Sequence, residues 1–242
     1  DLGTTNSCAA YIDTQERRPK AYPFKIPQLK APGSVEPFFT LPSFCYLAQR
    51  DECAKNALAL PWSSPQQLSM DYAVGAYAKT QGSKVPTRLV QSAKSWLCHH
   101  GANSGGKILP VEAADESLRI SPLEAASRYL AHIRHAWNHV KAKGDPEAEF
   151  DDQEIVLTVP ASFDEAARTL TVEAAKSAGF AHLTLIEEPQ AAFYSWIAEN
   201  EAEWEKSVSK GMQILVCDVG GGTTDFSLIE AGGSGDKHVF RR

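Results

Sequence analysis

Long apolar runs are missing from this chain. No stretch approaches the roughly 20 apolar residues that cross a bilayer as a helix, so the sequence excludes a membrane-spanning helix as the basis of its action. Basic runs are missing too. No run of Lys or Arg exceeds two residues, and the formal net charge is −6. That excludes the concentrated positive field on which nucleic-acid and anionic-membrane binding depend. Cysteine is sparse: Cys8, Cys45, Cys53, Cys98 and Cys217 are odd in number, irregularly spaced and free of any CxxC. A disulfide framework and a zinc site are thereby disfavoured, and a reducing, cytoplasmic location is expected. The sequence also lacks an initiator Met, a signal peptide and any strand before Asp1. The expectation is that further residues precede it.

What is present is ordinary in bulk. The 242 residues are 43% hydrophobic and 22% charged, enough for one large or two small soluble domains. The informative feature is a motif written twice. Asp1-Leu2-Gly3-Thr4-Thr5-Asn6-Ser7 opens the chain, and Asp218-Val219-Gly220-Gly221-Gly222-Thr223-Thr224-Asp225 stands near its end. Each copy is an acid, then glycine, then a Thr-Thr pair, and each leads into an apolar run. The second copy also follows one, Ile214 to Cys217, and reads as strand, tight turn, strand. Glycine admits positive φ and lets backbone N–H groups approach a ligand without a Cβ in the way. Two such turns, each with a carboxylate and hydroxyls, suit a polyphosphate and its divalent metal held between two lobes.

Along the chain, residues 1–13 read as strand–turn–strand and residues 14–42 as mostly loop with short strands. Phe44 to Leu47 reads as a strand, and Asp71 to about Trp96 as helical segments interrupted by Gly82 and Pro86. Ser121-Pro122-Leu123-Glu124 is a helix start with a capping box. Apolar residues at Leu123, Ala126, Leu130, Ile133, Trp137 and Val140 carry the helix to Gly144. The pattern then alternates. Strands are predicted over Glu154–Val159, Leu183–Ile186 and Gln213–Cys217, with Phe226–Glu230 as a hairpin partner. Helices are predicted over Asp164–Ala178 and Pro189 to about Ser207. That order implies an α/β fold with right-handed crossovers, a mixed sheet and flanking helices.

Five segments, in order, resemble the nucleotide-binding domain of Hsp70 chaperones. They are Asp1 to Ser7, Val74 to Lys79 (VGAYAK), Val159 to Phe163 (VPASF), Ile186 to Ala192 (IEEPQAA) and Cys217 to Ser227 (CDVGGGTTDFS). The resemblance implies a ribonuclease H-like, actin-like ATPase fold, comprising lobe I and the first hairpin of lobe II. It divides the chain into subdomain IA at 1–41 and 117–211, subdomain IB at 42–116, and the start of subdomain IIA at 212–242. Pro61 to Met70 and Trp96 to Gly106 differ from the commonest members, which points to a divergent, bacterial-type branch. The function implied is that of an N-terminal portion of a stress-response chaperone ATPase. Water would attack the γ-phosphate of ATP in line, and the cycle would control polypeptide binding by a C-terminal domain. With half the cleft expected elsewhere, this stretch alone is expected to be weak or inactive.

The resemblance also assigns residues. Asp1 and Asp218 face Mg²⁺ through its waters, and Asp225 is a second carboxylate near the metal. Gly3, Thr4, Thr5, Asn6, Gly220, Gly221, Gly222, Thr223 and Thr224 receive phosphates. Lys79 matches the catalytic lysine and Glu188 the acid that holds a metal-bound or attacking water; Asp1, Asp218 and Thr223 complete the catalytic set. Pro160 and Arg168 match residues that couple nucleotide state to the other domain. ATP or ADP with Mg²⁺, and K⁺ as a further candidate ion, are the implied cofactors. Unfolded polypeptide, a J-domain co-chaperone and a nucleotide exchange factor are the implied partners; nucleic acid and membrane are not.

Blander readings stand beside these. A lysine on a helix is ordinarily a solvated charge, and Glu before Pro is ordinary helix-start chemistry. Gly101 to Lys107 spells the start of a Walker A loop, but Ile108 stands where Ser or Thr should hold the metal and no strand precedes it. Cys98-His99-His100 lacks a matching ligand pair. The acidic run Glu199 to Glu205 reads as a solvated helix face. Two alternatives remain: a catalytically degenerate scaffold of the same family, and a small-molecule kinase of the same superfamily.

Overall fold

In a computed structural model of the chain, residues 1–54, 56–63, 71–99, 106–201, 203–232 and 239–241 are described. The first turn leads into β1 (Asn6–Ile12), and where loop with short strands is expected four short strands follow: β2 (Ala21–Phe24), β3 (Ile26–Ala31), β4 (Ser34–Phe38) and β5 (Thr40–Pro42). β1 pairs antiparallel with β5 at its start and with β2 along the rest. Pro32-Gly33 makes the β3–β4 turn. Gly33 has φ 69°, the conformation that the third position of a type II turn demands.

Next come β6 (Phe44–Leu47), α1 (Arg50–Ala54), β7 (Tyr72–Val74), α2 (Ala76–Gly82), β8 (Leu89–Gln91) and α3 (Ala93–Leu97). The helical stretch expected from Asp71 thus contains two strands, β7 and β8, which flank β6. Three-residue edge strands are too short to show a period, so sequence pattern could not find them. The glycine of the VGAYAK segment has a local structural reason. Gly75 has φ 87°, and a Cβ there would lie 2.4 Å from Gln28 Oε1 and 2.7 Å from Leu41. Gln28 is fully buried because both ends of its amide are used: Nε2 donates to Thr40 O at 2.9 Å, and Oε1 accepts from Ala76 N, the first amide of α2, at 2.8 Å.

The second half follows the predicted order closely. α4 (Pro122–Trp137) starts with Glu124 N donating to the Ser121 cap at 3.0 Å. It runs into a π-helical turn over Asn138–Ala142 and stops at Lys143 and Gly144, both at positive φ. Its buried face is wider than the apolar stripe, because Ala125, Tyr129, His132 and Ala136 are buried with Ala126, Leu130 and Ile133, whereas Leu123 is only partly so. The helix packs on more than one side, against α3 and β3 as well as the next helix. Full burial of Leu130 or Ile133 stabilises by about 1.5–3 kcal/mol each. β9 (Glu154–Val159), α5 (Glu165–Ser177), β10 (His182–Glu187) and α6 (Glu188–Glu199) form a β-α-β-α unit, with β9 and β10 parallel. Asp164 caps α5, accepting from Ala167 N at 2.8 Å, and Gly179 ends it at φ 90°.

Three expectations need correction. The helix predicted to reach Ser207 breaks at Asn200, and a separate short α7 (Trp204–Ser207) follows. The acidic residues of that region are exposed but not on one helix. β11 (Gln213–Val219) does not join β9 and β10. It pairs with β12 (Thr224–Gly232), which carries β13 (Val239–Arg241) on its other side. Instead of one mixed sheet, the described residues form five sheets of two or three strands within a mixed α/β fold. Strand order along the chain reports crossovers, not which edges meet.

Candidate functional site

β11 and β12 pair in register from Gln213↔Glu230 to Val219↔Thr224, and Gly220 N donates to Thr223 O at 2.9 Å to close the turn. On β12, Asp225, Ser227, Ile229 and Ala231 face inward, against α6 on one flank. The first turn is held from below by Leu2, which is buried in the main core. Ser43, between β5 and β6, fixes its shape. Ser43 N donates to Thr5 O at 2.9 Å and its hydroxyl donates to Gly3 O at 2.7 Å. Ser43 Oγ lies 3.0 Å from Ser7 Oγ, and because its own proton goes to Gly3, Ser7 is the donor of that pair.

The two turns meet. A Cβ on Gly221 would lie 1.9 Å from Thr5 Oγ1, and one on Gly222 would lie 2.6 Å from Thr4 Cγ2 and 2.7 Å from Ser95 Oγ. None of Gly3, Gly220, Gly221 and Gly222 has positive φ. Room, not backbone freedom, is therefore what glycine supplies here. The expectation of a positive-φ turn is corrected, while the close approach it was meant to permit is present.

Between the turns lies a cleft of about 430 Å³ lined by residues of both, with Lys94, Thr158 and Glu188 among the others. Of the expected phosphate ligands, Gly3, Thr4, Thr5, Asn6, Gly220, Gly221 and Thr223 line it, as do Asp1 and Asp218. Thr158 Oγ1, on β9, donates to Asp1 Oδ1 at 3.0 Å and holds that carboxylate at the rim. Glu188 opens α6, where the helix dipole favours an acid. Its Oε1 accepts from Lys94 Nζ at 2.5 Å, and the two side chains are only 14% and 7% exposed. Burial pushes the Glu188 carboxyl up from its ordinary value; Lys94 opposes that shift and the Asp218 carboxylate adds to it.

The cleft lining carries three side-chain carboxylates (Asp1, Glu188, Asp218) against one side-chain ammonium, Lys94. A polyphosphate can enter such a site only with a cation to balance it. No group of three His, Cys, Asp or Glu side chains among the described residues could hold a metal by itself. A divalent ion would have to draw its inner ligands from phosphate and water, which suits Mg²⁺, a cation that gives up water reluctantly.

Several expected residues stand elsewhere. Lys79 is exposed on α2, with its ammonium 5.6 Å from the centre of the Phe44 ring, and does not line the cleft. The lysine that lines the cleft is instead Lys94, which sequence reading missed. Both lysines follow an alanine in a short helix, and nothing in periodicity or spacing ranks one over the other; only the fold aims Lys94 at Glu188. Asp225 is the cross-strand neighbour of Asp218 but is buried outside the cleft lining. Its Oδ1 accepts from Ser162 N at 3.2 Å, and its buried Oδ2 has no partner among the described residues. Gly222 and Thr224 also lie outside the lining, although Gly222 makes the contact between turns. Pro160 is buried at the end of β9, and Arg168 is committed within the chain, donating to Phe163 O at 3.1 Å and Glu187 Oε1 at 2.7 Å. Gly101 to Gly105 and His100 lie outside the described residues, so the Walker-like stretch and the Cys-His-His cluster cannot be placed.

A family model described as Hsp70 protein matches residues 68–239. That span includes Lys94, Glu188 and the second turn; the first turn precedes it. A heat shock cognate HSP70 protein of Trypanosoma brucei brucei is 30% identical over 168 residues, which are 65% of this chain. The chain spans 23% of the length of that relative.

Proposed function

The chain belongs to the Hsp70 family, and from that premise we propose that it supplies one wall of an ATP-hydrolysing cleft and the phosphate turn of the facing wall. The observation that carries this reading is the contact of two Asp-Gly-Thr turns across a cleft that also holds a buried Lys–Glu pair. In this reading ATP or ADP binds with Mg²⁺, whose charge offsets phosphate oxygens. Asp1, Asp218 and Glu188 hold its water shell. The hydroxyls of Thr4, Thr5 and Thr223 donate to phosphate oxygens, and the backbone N–H groups of both turns surround them. Lys94 faces the charge that builds on the transferring phosphoryl group, and Glu188 orients the attacking water while keeping Lys94 in place. Phosphoryl transfer depends chiefly on positioning and electrostatics, which is what this set provides.

The same premise supports the actin-like arrangement of lobes, with subdomain IA at 1–41 and 117–211, IB at 42–116 and the start of IIA at 212–242. It also supports coupling of the cycle to polypeptide binding with a J-domain protein and an exchange factor as partners. Pro160 and Arg168 sit at the end of β9 and beside Glu187, so a shift at Glu188 would reach them first. ATP turnover by the polypeptide that carries these residues, compared with its Lys94→Ala and Lys79→Ala variants, tests the reading. Loss in the first and retention in the second is expected. Equal rates in all three would overturn it.

A further inference from the structure

Pro160 to Phe163 close as a β-turn after β9, with Phe163 N donating to Pro160 O at 3.2 Å. Such a turn uses the N–H of its last residue and leaves those of its two middle residues free. The free N–H of Ser162 finds its acceptor on another element. It donates to Asp225 Oδ1 on β12 at 3.2 Å, across 63 positions of sequence. The bond joins the strand that follows the second phosphate turn to the loop that follows β9. Asp225 is 7% exposed and stands outside the cleft lining.

Phe163 carries the link onward. It is 5% exposed and forms a small core with Val159 and Ala167. Cys98, the residue that ends α3, packs against this core. Lys94 Nζ lies 6.0 Å from the centre of the Phe163 ring, at the outer limit of the range in which a ring face attracts a cation. The Lys94 ammonium therefore has two buried neighbours, the Glu188 carboxylate and the Phe163 ring. The ring is held in sequence directly behind the residue that Asp225 binds.

We propose that Asp225 is a positioning residue. By holding Ser162 it fixes the Pro160–Phe163 turn on β12, so that Phe163 seats α3 and keeps Lys94 on Glu188. The two acids that face each other across the β11–β12 ladder then divide the work. Asp218 lines the cleft, while Asp225 ties the strand behind the second turn to the lysine. The effect on turnover rests on the function proposed above; the effect on the setting of Lys94 does not.

Two substitutions at one position test this. Asp225→Ala removes the acceptor, and Asp225→Asn keeps a carbonyl oxygen in its place. Both are made in the polypeptide that carries these residues and compared at a temperature where circular dichroism shows them folded. Without nucleotide, a pulse of acetic anhydride followed by peptide mass spectrometry reads acetylation of Lys94 against exposed Lys79. Lys94 is expected to react about ten-fold faster in Asp225→Ala than in the parent, the scale of one lost hydrogen bond, and at the parent rate in Asp225→Asn. Phe163→Leu should resemble Asp225→Ala, and the two together should go no further than either alone. In ATP turnover, kcat should fall about ten-fold in Asp225→Ala, with KM for Mg-ATP and the Mg²⁺ requirement unchanged. Equal acetylation of Lys94 in the parent and Asp225→Ala overturns the proposal. So does an Asn variant as impaired as the Ala one with a raised Mg²⁺ requirement, since Asp225 would then act on the metal. Faster acetylation with unchanged turnover supports the clamp and counts against the hydrolytic role given to Lys94.

Discussion

Lys94 Nζ and Glu188 Oε1 lie 2.5 Å apart, joining α3 to the first turn of α6 across 94 positions of sequence. This pair is the point at which the floor of the cleft is fixed. A buried ion pair is weak evidence of stability in itself, but removing one partner strands the other charge in a poorly hydrated place.

Lys94→Met is therefore expected to cost stability, by about 3 kcal/mol at neutral pH. The pH dependence has a definite sign. Without the ammonium, the folded-state pKa of Glu188 rises further above its unfolded value. The variant keeps its stability below the unfolded carboxyl pKa and loses it as pH rises through the folded one. Urea melts from acid to neutral pH should show the gap from the parent chain widening. A constant gap would mean that Glu188 is not left charged and unpaired.

Turnover should separate the two lysines. Lys94→Ala is expected to reduce ATP hydrolysis by about a hundred-fold, the scale of losing one group that stabilises transition-state charge. Lys79→Ala should leave it within about two-fold, because a surface lysine against Phe44 touches nothing in the cleft. Single-turnover hydrolysis decides between them.

Gly221→Ala should push the turns apart, since the new Cβ meets Thr5 Oγ1 at 1.9 Å and Thr5 Cβ at 3.1 Å. Nucleotide affinity is expected to fall by about ten-fold or more, and Thr5→Ala in the same chain should restore part of the loss. Calorimetric titration with Mg-ADP of the four chains of this double-mutant cycle gives the coupling. Additive losses would show that the contact does not matter.

Ser43→Ala should loosen the first turn without touching the cleft lining. It leaves Gly3 O and the buried Ser7 hydroxyl without their Ser43 partner. The cost is about 1–3 kcal/mol, visible as a lower midpoint in thermal melts, with weaker nucleotide binding as the turn loses its shape.

His132 sets a different pH dependence. Burial depresses its pKa to about 4, even though the Pro27 carbonyl 2.9 Å from Nε2 pulls the other way. The neutral ring packs edge-on against Trp62. A depressed folded pKa makes the contribution complete above the unfolded value of 6.5 and lost as pH falls toward 4. The change across that window is roughly 3 kcal/mol. His132→Gln should flatten the acid limb of stability against pH.

Much of this was legible in the sequence. The doubled motif, the Ser121 and Asp164 caps, the Gly179 stop and the β9–α5–β10–α6 order are local patterns, set by turn chemistry and by the helical and strand periods. So was the family, because its segments keep their order along the chain. Two kinds of thing were not legible. Three-residue strands such as β7 and β8 carry no period. Which lysine reaches the cleft depends on how α3 is aimed, and Lys79 and Lys94 look alike in one dimension.

The sequence by itself determined that two acid–glycine–threonine turns exist and which residue types they hold. Tertiary structure decided that they touch, that glycine serves there by its missing Cβ rather than by positive φ, and that Lys94 faces Glu188. The physical reason is reach: propensity and capping act over a few residues, whereas the contact of Gly221 with Thr5 depends on the packing of every element between them.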